Sequence, residues 1–119
     1  MLYILIHKQN GVIMKLVTKE IKTAAQKQYK TYAEDCLKNV DQNIVAKFFN
    51  PCGDGTWYLV NMHEDEDYCW GFVVMNGYVE SGSFSLNELK SVRLPYGLKI
   101  ERDKSFRKMT CTELLNRLI

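Results

Sequence analysis

The usual local signatures of metal, cofactor and nucleophile chemistry are missing from this 119-residue chain. There is no C-x-x-C pair, and no histidine lies within five residues of a cysteine. A structural zinc site needs such local ligand pairs to hold its tetrahedral geometry, so no metal is expected. No secretory signal precedes the four cysteines, which argues against a disulfide framework. Cys36, Cys52, Cys69 and Cys111 therefore read as reduced thiols of a cytoplasmic protein. The apolar stretch "MLYILI" falls far short of the roughly 20 residues that span a bilayer, so no membrane role is expected. The phosphate-binding pattern G-x-x-x-x-G-K-[ST] is absent. Only two histidines exist, His7 and His63, neither in a recognisable nucleophile motif, and no cofactor or catalytic residue is assigned.

What remains is an ordinary globular composition, 46% hydrophobic and 25% charged, with no low-complexity linker. That length forms one domain with one core. Residues 1–13 are read as a translated leader and 14–119 as a single domain, because "NGVIM" can be encoded by a purine-rich ribosome-binding sequence before Met14. N-terminal mass spectrometry of the native protein tests this, and an intact Met1 start refutes it.

The net charge of +2 is unevenly spread. Lysines dominate from Lys8 to Lys47, every charge from Glu64 to Glu88 is acidic, and the chain is basic again from Lys90. Such a distribution fits neither a uniformly basic DNA coat nor an acidic DNA mimic.

The pattern predicts an α+β fold. It has an N-terminal helix, an antiparallel meander of four or five strands, and two short C-terminal helices. Thr18 is a good N-cap for "TKEIKTAAQKQYKTYAEDCL", in which Ile21, Ala25, Gln28 or Tyr29, Tyr32 and Cys36 share one helical face. Strands are predicted over 44–49, 56–62, 68–75 and 78–84. "NPCGDG" reverses the chain between the first two and Asn76-Gly77 between the last two, since both central positions of a type I′ turn need positive φ. Ser85 with Glu88, and Thr110 with Glu113, are capping boxes that open the short helices. Leu98 to Arg102 offers an additional edge strand.

Candidate contact residues fall in three places. The turn carrying Asn50, Pro51 and Asp54, followed by Trp57, reads first as a hairpin connection and second as a contact tip, because function concentrates on loops held by rigid strands. Cys52 within it has little to lower its pKa and is read as a bystander. Glu64, Asp65, Glu66 and Asp67 form a run of acids without the alternate spacing of a calcium loop, so a solvated strand connection is the first reading. Glu101 and Asp103 share one strand face with Arg102 opposite, read as a charged edge rather than a hydrolase pair. Trp57, Tyr58, Trp70 and Phe72 suit either cross-strand packing or a stacking platform for bases.

The blocks "MKLVTKE" at 14–20, "AKFFNP" at 46–51, "GTWY" at 55–58, "GYVE" at 77–80, "FSLNEL" at 84–89 and "LPYGLKIERD" at 94–103 carry a resemblance. In order and spacing they resemble a family of small single-domain bacterial proteins of unknown function, borne on plasmids, conjugative elements and phages near anti-restriction genes. The resemblance implies an accessory factor of mobile DNA, with relatives that inhibit type II CRISPR effectors, and it assigns no catalytic residue. Two functions follow as expectations. One is a non-catalytic inhibitor that presents the acidic strip Glu64 to Glu88 to a host defence protein such as a CRISPR effector nuclease. The other is a nucleic-acid binder of plasmid transfer that uses the lysines of the first helix and the basic C-terminal segment. A small hydrolase using Glu101, Asp103 or Cys52 is the weakest alternative.

Overall fold

The computed structural model describes residues 15–32 and 42–119. The expected leader, residues 1–13, and the predicted continuation of the first helix through Leu37 lie outside the described residues. Helix α1 spans Lys19–Tyr32. Strands β1 (Asn43–Ile44), β2 (Ala46–Phe49), β3 (Thr56–Met62), β4 (Tyr68–Met75) and β5 (Tyr78–Ser85) follow in turn. Helix α2 (Leu86–Ser91), a 3-10 turn at Pro95–Gly97, strands β6 (Glu101–Arg102) and β7 (Met109–Thr110), and helix α3 (Cys111–Leu118) complete the order. The main sheet is antiparallel with order β5-β4-β3-β2-β6, and β1 pairs with β7 in a separate two-stranded ladder. The predicted α+β meander is thus present, with β6 as its fifth strand.

Two sequence features set that order. Asn76 and Gly77 adopt φ of 55° and 79°, the left-handed values that a type I′ hairpin requires between Met75 and Tyr78. Both capping boxes form: Ser85 Oγ accepts from the Glu88 amide at 3.1 Å, and Thr110 Oγ1 from the Glu113 amide at 3.1 Å. Thr18 likewise caps α1, accepting from the Ile21 amide at 3.2 Å. The predicted strand 44–49 is broken, however. Val45 donates to Leu59 O, while Ile44 turns away to pair with Met109. A run of β-branched and aromatic residues records strand propensity but not the partner, and this run has two partners.

Side chains on β3 supply both faces of the sheet, and all five residues from Tyr58 to Met62 are buried. Leu59 and Met62 join Ala25, Ala46, Phe48, Cys69, Leu86 and Leu89 on the face covered by α1 and α2. Tyr58 and Val60 join Ile44, Phe72 and Leu114 on the face covered by α3. The register explains this unequal alternation. Leu59 faces Gly71 and Asn61 faces Trp70, which leaves Val60 as an extra, bulged residue.

The bulge is held by one buried glutamine. Gln28 of α1 donates to Val60 O at 2.6 Å and to Asn43 O at 2.9 Å, and its Oε1 accepts from the Asn43 amide at 2.9 Å. The same side chain therefore joins helix, bulge and β1, satisfying backbone groups that no ladder bond reaches. Gly71, beside the bulge, lies so close to β3 that an added Cβ would stand 1.8 Å from Tyr58 O. Only glycine fits that approach.

Candidate functional site

The acidic turn is folded around its own carboxylates. Asp65 Oδ1 accepts from the Asp67 amide at 2.9 Å and the Tyr68 amide at 3.0 Å, closing the turn, with Glu66 at φ 63°. Asp67 Oδ1 accepts from Ser85 Oγ at 2.6 Å and the Asn87 amide at 2.8 Å, which ties the turn to the start of α2. These bonds hold both aspartate carboxyls below the ordinary value, chiefly through backbone donors for Asp65 and the Ser85 hydroxyl for Asp67. The glutamates point to α1: Glu66 pairs with Lys22 at 2.9 Å and Glu64 with Lys30 at 3.6 Å. Both remain exposed, at 55% and 69% of their side-chain surface. Two of the lysines predicted as a phosphate-binding face are thus already matched by acids.

The Asn50–Gly55 turn is likewise internally bonded. Asn50 Oδ1 accepts from the Cys52 amide at 2.8 Å, and its amide group donates to Asp54 O at 3.2 Å. Pro51 sits half-buried inside this Asx turn. Asp54 caps Gly55 through Oδ1 at 3.0 Å and receives the Asn76 amide on Oδ2, so it stitches the two hairpin turns at one end of the sheet. Trp57 folds over that end: its ring would lie 2.8 Å from a Cβ at Gly55. It packs with the α1-side core, whereas Tyr58, Trp70 and Phe72 belong to the opposite face. The four aromatics therefore form no single platform, because neighbouring residues on a strand point apart.

In the segment Glu101–Asp103 the strand period places both acids on the α3 side and Arg102 on the α1 side. Arg102 donates to Lys15 O at 2.7 Å and Leu16 O at 3.3 Å, which anchors the chain leading into α1. Glu101 is buried, and burial pushes its carboxyl up against a smaller lowering effect of Lys104. Asp103 pairs with Lys47 at 3.7 Å and starts the loop that follows. Its amide donates to Lys47 O at 2.9 Å, and its Oδ1 accepts from the Ser105 amide at 2.9 Å.

That loop forms one bank of a groove of about 450 Å³. Lys47 of β2 and Tyr58 of β3 line its sheet side, residues 105–109 one bank, and Glu113, Leu114, Arg117 and Leu118 of α3 the other. The loop is fixed at both ends, by Asp103 on β2 and by Met109 and Thr110 on β1. Four cations, Lys47, Arg107, Lys108 and Arg117, line the groove against the single carboxylate of Glu113. Among the described residues, Arg107, Lys108 and Arg117 have no ion-pair partner. Inside, the Tyr58 and Phe106 rings stand 6.2 Å apart, and Lys47 Nζ lies 5.8 Å from the Tyr58 centroid. Burial first, and then the Asp103 charge, raise the Tyr58 hydroxyl pKa, so it remains a neutral hydrogen-bonding phenol.

The arrangement is suited to holding an anion beside a flat ring. The basic C-terminal segment was legible in the sequence, but Tyr58, Phe106 and Lys47 were not connected with it, since only the packing of α3 and its loop on the sheet brings them together. Among the described residues no three His, Cys, Asp or Glu side chains are grouped to hold a metal ion, and no helix is long and apolar enough to cross a membrane.

Comparison with known proteins adds one relationship. A family profile described as "Protein of unknown function (DUF2958)" matches residues 16–114. Neither a curated protein nor a solved structure matches the chain.

Proposed function

This chain belongs to the DUF2958 family of proteins of unknown function, and from that premise we propose that it is a non-catalytic, nucleic-acid-binding accessory protein of mobile DNA. One observation carries the reading: three cations without ion-pair partners among the described residues and a fourth on the sheet converge on one groove that also holds the half-buried ring of Phe106. Phosphate contacts supply most of the affinity in such binding and make it strongly salt-dependent. On α1, Lys22 and Lys30 are matched by Glu66 and Glu64, while Lys19 and Lys27 have no ion-pair partner among the described residues and lie away from the groove lining.

Fluorescence anisotropy with labelled DNA over a salt series tests this. Binding should weaken steeply with salt, and Arg107→Ala or Arg117→Ala should each reduce the log–log slope by about one. No binding even at low salt overturns the reading.

A second reading, inhibition of a host defence nuclease such as a CRISPR or restriction effector, draws support from the exposure of Glu64 and Glu66. Their surface ion pairs with α1 are weak enough to be exchanged for a partner's basic residues. A pull-down of the tagged protein from its native host, with and without nuclease digestion, separates the two. A defence nuclease retained after digestion, and lost in Glu64→Gln/Glu66→Gln, favours inhibition. DNA lost on digestion favours the nucleic-acid reading.

A further inference from the structure

Resting on the nucleic-acid reading of the groove, we infer that its occupant is a single strand, with one base lodged against Phe106 and the flanking phosphates on Arg107 and Arg117. Shape gives the first reason. The groove is concave and about 450 Å³, within the range of roughly 300–1,000 Å³ typical of sites for small molecules. A nucleotide-sized unit enters such a space. The convex surface of a duplex meets only its banks and leaves Tyr58 and Lys47 untouched.

Chemistry gives the second. Aromatic rings inside a basic groove contribute nothing to a duplex, whose base faces are already stacked. An unpaired base can use them, whatever its identity, because every base has a π-face. Half-buried Phe106 offers that surface, backed by the buried ring of Tyr58, with Lys47 held beside it at 3.7 Å from Asp103.

The third reason is the architecture around the groove. A helix that reads duplex DNA enters the major groove with an exposed basic face. Helix α3 has eight residues and buries Leu114 against the sheet, so its inner face is committed to the core. On α1, two of the four lysines, Lys22 and Lys30, are drawn into ion pairs, which leaves Lys19 and Lys27 as its unpaired cations among the described residues. The two banks carry Arg107 and Arg117 on separate elements, a placement that brackets a strand passing between them.

The experiment compares four labelled probes by anisotropy with the full chain. These are an oligothymidylate, an oligouridylate, the oligothymidylate paired with oligoadenylate, and a backbone of equal length without bases. Single strands should bind at least roughly tenfold more tightly than the duplex, and removing the bases should cost roughly five- to a hundredfold. Phe106→Leu keeps an apolar side chain and removes the π-face. It should weaken single-strand binding about fivefold or more while leaving duplex binding unchanged and the protein folded, as circular dichroism checks. The two single strands serve to show whether the 2′-hydroxyl matters, and binding of either supports the inference.

Equal binding of single strand, duplex and base-free backbone overturns the inference and leaves the broader nucleic-acid reading standing. Absence of binding to all four probes at low salt overturns both. The base-free probe needs no variant protein, so the test does not depend on Phe106→Leu folding normally.

Discussion

The two faces of the sheet are built from the same central strand yet differ in what they leave free. On the α1 side, Phe48, Leu59, Met62 and Cys69 are fully buried, and Lys22 and Lys30 pair with Glu66 and Glu64, while Lys19 and Lys27 have no ion-pair partner among the described residues. On the α3 side the core is smaller, centred on Ile44, Val60 and Leu114, and Arg107, Lys108 and Arg117 stand around an open groove. A lysine-rich helix and a basic C-terminal segment look alike as strings of residues. Whether an acid waits within reach decides which of them is available to a partner.

The largest expected effect comes from breaking the dry face. Phe48→Ala should cost about 3–5 kcal/mol, since it removes a fully buried ring from close-packed surroundings. Phe106→Leu on the groove side should cost less than about 1.5 kcal/mol. Urea unfolding measures both, and similar losses would mean that the groove wall is core rather than surface.

Next in size is the link between helix and bulge. Gln28→Ala leaves Val60 O and the Asn43 amide without their partner and should destabilise by about 1–3 kcal/mol, with faster hydrogen exchange at Asn43. A smaller loss, about 1 kcal/mol, is expected from Ser85→Ala, which removes the N-cap of α2. Thr110→Ala should cost a similar amount through α3, but only this change should also disturb the groove.

The smallest effect is one of pH. Asp65 and Asp67 have folded pKa values below the ordinary 3.8, so their stabilising contribution is complete above that value and is lost as pH falls through the lowered ones. Acid should therefore loosen the 63–67 turn and the start of α2 before the α3 side. Amide chemical shifts followed between about pH 5 and pH 2 would show that order, and simultaneous loss on both faces would contradict it.

Local chemistry was readable along the chain. The type I′ turn at Asn76-Gly77, the two capping boxes and the alternation of Glu101, Arg102 and Asp103 each depend on residues within a few positions of one another, so backbone geometry and side-chain reach determine them in advance. The meander followed from those turns. Other features had no local signal. The bulge at Val60 depends on the register between two strands, and the need for glycine at 71 on how closely they approach. The break at Val45 exists because β1 finds β7, sixty-odd positions away. Pairing of Glu64 and Glu66 with α1 neutralised charges that looked free in one dimension.

By itself, then, the sequence determined the elements, their caps and turns, and an uneven supply of charge, because those properties arise from neighbours along the chain. Tertiary structure alone decided which cations stay unmatched and which aromatics they meet. Coulombic pairing and stacking act over a few ångströms of space: Lys47 and Tyr58 meet as a cross-strand pair, and Phe106 and Arg117 join them around one groove only when the C-terminal loop and α3 pack on the sheet.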